Sequence, residues 1–142
     1  MIITNDLNAN SSELERAFPK VDAGITPFGS RILVQIRTPK SKTSGGILLT
    51  ADTKDTELWN TQIAKVIWVG PLSFRNRTTQ EPWIEGEWCA VGDFVRVPKY
   101  GGDRWVVDNP ANKDEPAMFA MYDDLNLIGK VTIDPLAIKA FI

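Results

Sequence analysis

"RILVQIRTPKSKTSGGILLTADTKD", residues 31–55, changes character halfway along. Its first seven residues alternate as a strand does: Ile32, Val34 and Ile36 share one face, and Leu33 adds apolar surface to the other. A glycine pair, Gly45 and Gly46, then precedes three consecutive aliphatics, Ile47, Leu48 and Leu49. Their flanks are polar: Lys40 to Ser44 before them, and Asp52, Thr53, Lys54 and Asp55 after. A two-residue hairpin at the glycines would pair "KSKTS" with "ILLTA". That pairing is poor, because the first arm offers nothing apolar to set opposite Ile47 and Leu49. The better reading is a solvated loop over residues 38–60, flexible at its glycines, that presents the triplet to another surface. Connections beyond about 12–15 residues without secondary structure of their own are usually functional or disordered.

Outward from this loop the pattern stays β. "QIAKVIWVG" (62–70) is a second strand closed by Gly70-Pro71, and "DFVRV", "RWVV", "AMFAMY" and "LNLIGKVTI" follow. Turn residues separate them at Gly92-Asp93, Gly101-Gly102, Asn109-Pro110 and Glu115-Pro116. Short strands with little helix predict a mainly β fold, a small antiparallel barrel or sandwich. Residues 1–24 read as an N-terminal appendage, in which Ser12 and Glu15 resemble a capping box opening one or two helical turns up to Phe18. Residues 132–142 form a C-terminal tail. A second long gap, "PLSFRNRTTQEPWIEGEWCA" (71–90), carries Phe74, Trp83 and Trp88 around Arg75 and Arg77.

Composition removes several functions. The 142 residues are 43% hydrophobic, enough for a core, and the net charge of -2 gives no electrostatic reason to expect nucleic acid. No histidine is present, so the commonest general base, the histidine triads and histidine zinc sites are all missing. Neither a phosphate-binding glycine motif nor a nucleophile elbow is found, and an enzyme is not expected. No cofactor or metal is implied. No stretch nears the roughly 20 apolar residues that span a bilayer, so no membrane partner is expected. "MIITNDLNAN" has no signal-peptide character, and the lone Cys89 suits a reducing compartment; the expected location is cytoplasmic. Asn76-Arg77-Thr78 is a chance glycosylation triplet on this reading.

Taken together, these segments resemble the GroES-type co-chaperonins, the lids of ring chaperonins. "TPFGSRILVQI" is similar to the family's opening proline and arginine-led strand, and "TSGGILLT" to its chaperonin-binding loop. "AKVIWVG", "VGDFVRVPKYGGDRW" and "FAMYDDLNLIGKV" follow in the family's order, so the resemblance spans residues 25–131. It implies an irregular antiparallel β-barrel with a mobile loop (38–60) and a roof hairpin (71–90), assembled as a homo-oligomeric ring, a heptamer. It also implies a GroEL-type ring chaperonin as partner, and a client protein enclosed for folding. ATP hydrolysis would belong to the chaperonin. By matching motif, the chaperonin-binding residues are Gly45, Gly46, Ile47, Leu48 and Leu49.

The chain departs from the family at Ser30, where aspartate is usual, and in its additions at both ends, at 71–90 and at 108–116. Such additions would suit a virus-encoded lid in a host cytoplasm, serving a large client such as a capsid protein. A multivalent lid is also what the energetics favour. Each buried aliphatic gives roughly 1.5–3 kcal/mol, against about 1–2 kcal/mol of backbone entropy for each ordered residue. One loop therefore binds weakly, and several on one ring bind with avidity.

The remaining candidates have two readings each. Tyr100-Gly101-Gly102 is a turn before it is a phosphate cradle. Trp68 and Trp105 lie in strands, as core or subunit interface. Phe74, Arg75, Arg77, Trp83 and Trp88 would either line the chamber roof or form a single-stranded nucleic-acid surface on an OB-like barrel. The acidic balance and short basic run favour the roof. A third possibility is a structural β-protein whose loop docks permanently on one neighbour. The strand from Arg31 and the segment 125–131 carry apolar residues on both alternations, more than a monomer with one wet face needs, and the family resemblance implies that they are edges covered by neighbouring subunits in the ring.

Overall fold

A computed structural model describes residues 13–38 and 62–138. Six antiparallel strands form one sheet: β1 (Arg31–Ile36), β2 (Ile63–Val69), β3 (Phe94–Arg96), β4 (Asp103–Val107), β5 (Ala117–Asp123) and β6 (Gly129–Lys130). Their spatial order is β4-β5-β1-β2-β3-β6. The mainly β, barrel-like fold expected from the alternation is therefore present, with little helix besides residues 13–17.

β1 is the centre of the sheet, paired with β2 on one side and β5 on the other. This corrects the expectation that it is an edge. Its apolar residues on both alternations are covered within the chain. Ile32, Val34 and Ile36 enter an inner core with Val66, Val95, Val97, Ala120 and Tyr122. Leu33 faces an outer cluster with Ala23, Ala117 and Phe119. Opposite the Leu33–Val34 step the pairing jumps from Trp68 to Val66, so Ile67 is bulged out of register. Such a bulge sharpens twist and helps a sheet to curl.

The last expected strand is also corrected. Of "LNLIGKVTI", only Gly129–Lys130 pairs, against Val95 and Arg96. Its start is a 3-10 turn, Asp124–Asn126, because the Leu125 N–H turns back to the Asp124 carboxylate at 2.8 Å. Two backbone segments cross closely at Gly70: a Cβ there would lie 2.4 Å from the Gly29 carbonyl oxygen. Only glycine fits beside that carbonyl.

The outer face is covered by residues 16–23. The buried Gln35 donates Nε2–H to the Pro19 carbonyl at 2.7 Å, and Trp105 donates Nε1–H to the Ala23 carbonyl at 2.9 Å. Phe18 meets Phe94 edge to face at 5.1 Å. The part of the N-terminal stretch that is described thus packs on the sheet. Ser12, the first residue of the expected capping box, lies outside the described residues.

Candidate functional site

The chaperonin-binding candidates Gly45, Gly46, Ile47, Leu48 and Leu49 lie outside the described residues. What is described is the base from which they leave. β1 and β2 are antiparallel neighbours, and Ile36 faces Ala64 in their last pair. Two residues suffice to join such strands, yet this chain spends residues 37–62 on the excursion. On the departing side, the Thr38 N–H donates to the Ala17 carbonyl at 2.8 Å, and its carbonyl accepts from Arg16 Nη1 at 3.2 Å. The same Arg16 nitrogen lies 3.4 Å from the buried Glu115. On the returning side, Gln62 Oε1 accepts from Arg96 Nε at 3.1 Å, and the Gln62 carbonyl from the Val97 N–H at 2.8 Å. Both ends of the excursion are anchored on the barrel.

The 71–90 segment holds a short hairpin. Arg75 bridges Pro82, the Trp83 N–H donates to the Phe74 carbonyl at 3.0 Å, and the Asn76 N–H donates to the Glu81 carbonyl at 2.8 Å. Asn76 shapes its tip, with Oδ1 accepting from the N–H groups of Thr78 and Thr79. Phe74, Trp83 and Trp88 form one aromatic cluster, with ring centroids 4.8–6.3 Å apart. Phe74 is only 2% exposed and belongs to the inner core, so its ring faces the barrel interior. Trp83 and Trp88 pack against that core, half-buried.

Holding Phe74 there needs an unusual backbone. Its φ is +61°, a region that costs a non-glycine residue on the order of 1–3 kcal/mol. Asp124 offsets that cost. Its fully buried carboxylate accepts from the Phe74 N–H at 2.8 Å, from the Leu125 N–H at 2.8 Å and from the Arg77 guanidinium. Arg77 also donates to the Arg75 carbonyl at 2.9 Å, and Arg75 donates to the Gln80 carbonyl at 3.0 Å. Both arginines therefore satisfy the hairpin's own acceptors. Asp124 was not singled out from the sequence. An acidic pair before "LNL" carries no sign of partners 47 and 50 residues away.

The glycine pair after Tyr100 is a turn. Gly102 has φ +74°, and a Cβ there would meet the Tyr122 ring at 2.6 Å. That ring is buried, and its hydroxyl accepts from Arg104 Nη2 at 2.7 Å. Burial raises the Tyr122 pKa, while the Arg104 charge and hydrogen bond oppose the rise. Burial, and next the negative Asp93, push the Cys89 thiol up to about 11, so it behaves as a neutral core side chain. Trp105 stacks on Phe119 at 6.1 Å, whereas Trp68 is half-exposed on the outer face. Among the described residues, no group of three or more His, Cys, Asp or Glu side chains could hold a metal ion.

A curled antiparallel sheet with a long anchored excursion between its two central strands defines a co-chaperonin-like barrel. The model of the chaperonin 10 kDa subunit family matches residues 24–118, and the chain belongs to that family. It is 32% identical over 101 residues to the co-chaperonin GroES of Clostridium botulinum, covering 71% of this chain and 93% of that protein. It is 29% identical over 104 residues to the mitochondrial 10 kDa heat shock protein of Oryzias latipes, covering 73% and 90%. A third relative, the co-chaperonin GroES of Tetragenococcus halophilus, is 31% identical over 84 residues, 59% of this chain and 81% of its own length. The chain is a co-chaperonin by family, and the family's role in protein folding is non-enzymatic.

Proposed function

We propose that this protein is the lid of a GroEL-type ring chaperonin, docking through Gly45, Gly46, Ile47, Leu48 and Leu49 to close a chamber around a client protein. The observation that carries this reading is the anchored excursion from the β1–β2 pair, which holds the glycine–aliphatic motif within a chain of the co-chaperonin family. ATP turnover belongs to the chaperonin. The working form is a homo-oligomeric ring of about seven chains, the family arrangement. Exposed apolar residues favour a ring: Ile25 and Phe28 precede β1, and Ile128 and Ile133 flank β6 at the sheet edge. Contacts between unlike patches run head to tail and close into rings when the rotation allows. Exposed Arg75 and Arg77 and the half-buried Trp83 and Trp88 line the chamber roof, with Phe74 as the plug beneath them. A client of capsid-protein class suits the enlarged segments.

The test is a pull-down with a purified bacterial ring chaperonin, with and without ATP. The wild-type chain is expected to be retained when nucleotide is present. Leu48→Asp should abolish retention and leave the cooperative unfolding transition unchanged. A variant that unfolds instead would make the triplet part of the core and end the loop reading. Native mass spectrometry at tens of micromolar checks the ring; a persistent monomer would count against it.

A further inference from the structure

The 71–90 hairpin carries an open recess of about 450 Å³, reached across Pro82, Trp83, Ile84, Trp88 and Leu125. Much of its wall is apolar. Ile84 is fully exposed, Leu125 is 65% exposed, and both line the recess together with the tryptophans. Its rim is acidic, because Glu81 and Glu85 both line the recess. The cations that would neutralise a rim of this kind are turned elsewhere. Arg77 is bonded to Asp124 and to the Arg75 carbonyl, and Arg75 to the Gln80 carbonyl. Neither Glu81 nor Glu85 forms an ion pair among the described residues. The floor is firm: Trp83 and Trp88 sit 4.8 Å apart against the core, and Phe74 is locked by Asp124.

We infer that this recess is a peptide-binding site for extended segments in which apolar side chains are flanked by lysine or arginine, as an unfolded client exposes. An aliphatic or aromatic side chain would cover Ile84 and Leu125 and rest on the tryptophan rings. Basic neighbours would meet Glu81 and Glu85 at the rim. Oppositely charged groups steer encounter and select partners more than they add affinity, so the apolar contact supplies most of the binding and the carboxylates most of the selection. Open access and partial burial keep such binding weak and reversible, which suits a surface that must release what it holds. That the peptide comes from a client in a chamber rests on the lid reading; the binding itself does not.

The test titrates the full chain with a capped Lys-Leu-Phe-Leu-Lys peptide and with its Glu-Leu-Phe-Leu-Glu counterpart, followed by backbone amide shifts. The basic peptide should saturate, shifting residues 81–88 and 125, and the acidic one should bind at least about tenfold more weakly. Ile84→Ser should weaken the basic peptide about tenfold or more. The pair Glu81→Gln and Glu85→Gln should weaken it severalfold and flatten its salt dependence. The inference is overturned if the basic peptide does not saturate, if Ile84→Ser binds it as the wild type does, or if the acidic peptide binds equally well. Displacement of the peptide by a short oligothymidylate would overturn it too, pointing to a nucleic-acid surface. Capping of a ring chaperonin by the same proteins is measured in parallel. Intact capping without peptide binding removes this inference alone, and peptide binding without wild-type capping removes the lid reading alone.

Discussion

The inner face of the sheet is sealed by side chains alone, from the strands themselves and from Phe74 of the 71–90 segment, while the outer face is closed by side chains together with a length of chain laid across it and held through its backbone carbonyls. Inside, Val34, Val66, Val95, Val97 and Ala120 are all essentially inaccessible and meet as hydrocarbon. Outside, the carbonyls of Pro19 and Ala23 accept from Gln35 and Trp105, so the cover is fixed by directed bonds as well as contact. The difference tracks the family boundary. The inner core lies mostly within the matched residues 24–118, and the outer cover begins before them. A hydrocarbon interior is non-directional and tolerates drift in sequence. A cover held by a few named hydrogen bonds depends on those donors being present.

If the inner face depends on the plug, its anchor should be the most sensitive point. Asp124→Ala leaves the buried Phe74 N–H and Leu125 N–H without their acceptor and frees Arg77. Leaving these two backbone donors unpaired and losing the Arg77 contact should together cost roughly 3–5 kcal/mol. Urea unfolding should show that loss, with tryptophan fluorescence reporting release of the Trp83–Trp88 cluster. Arg77→Ala leaves the buried Asp124 carboxylate its two backbone donors but removes its counter-charge, and should cost less, roughly 1.5–3 kcal/mol. Equal losses would mean that the ion pair, and not the backbone capping of Phe74, holds the plug.

The next test also probes the inner face. Gly102→Ala combines a positive φ with a Cβ 2.6 Å from the Tyr122 ring, and should cost roughly 2–4 kcal/mol. Gly101→Ala shares the positive φ but meets open space, and should cost about 1 kcal/mol. The gap between the two thermal transitions isolates the crowding of Tyr122.

The contrast also separates what the sequence discloses from what it hides. Alternation in "RILVQI" and "AMFAMY" announces strands, because a period of two follows from the pleat itself. It does not disclose neighbours, so β1 read as an edge when it is the centre. Apolar residues on both alternations have two physical causes, a subunit interface or a cover from the same chain. Leu33 has the second, in Ala23 and Phe119. The hydrophobic plug at Phe74 was hidden for another reason: an aromatic in a polar loop shows no partner until Asp124 is brought beside it. The glycine–aliphatic loop expected from its polar flanks and the family likeness lies outside the described residues.

On the outer face a single donor can be removed without touching the packing. Trp105→Phe deletes the Nε1–H that reaches the Ala23 carbonyl and keeps an aromatic ring on Phe119. The expected loss is about 1 kcal/mol, with faster amide exchange confined to residues 16–24 in the cover. Faster exchange spread over β1 and β2 would mean that the cover and the inner face open as one unit.

The smallest effect, absent at neutral pH, is an alkaline one from the inner face. Cys89 is buried beside Asp93, and both raise its pKa from 9.0 to about 11, burial contributing more. Below pH 9 the thiol is neutral whether the chain is folded or unfolded, and contributes no pH dependence. As pH rises from 9 towards 11 the unfolded chain loses this proton first, so the folded state binds more protons and stability falls. Tyr122, whose pKa is also raised, adds a loss of the same sign above pH 10. Cys89→Ala should therefore flatten the decline in urea midpoint between pH 9 and 11 and leave the Tyr122 contribution in place. At pH 8 native Cys89 should react with a thiol-specific reagent only as fast as the chain opens. If it reacts at the rate of a free cysteine, the inner face is not closed around Cys89, and the contrast between the two faces fails at that point.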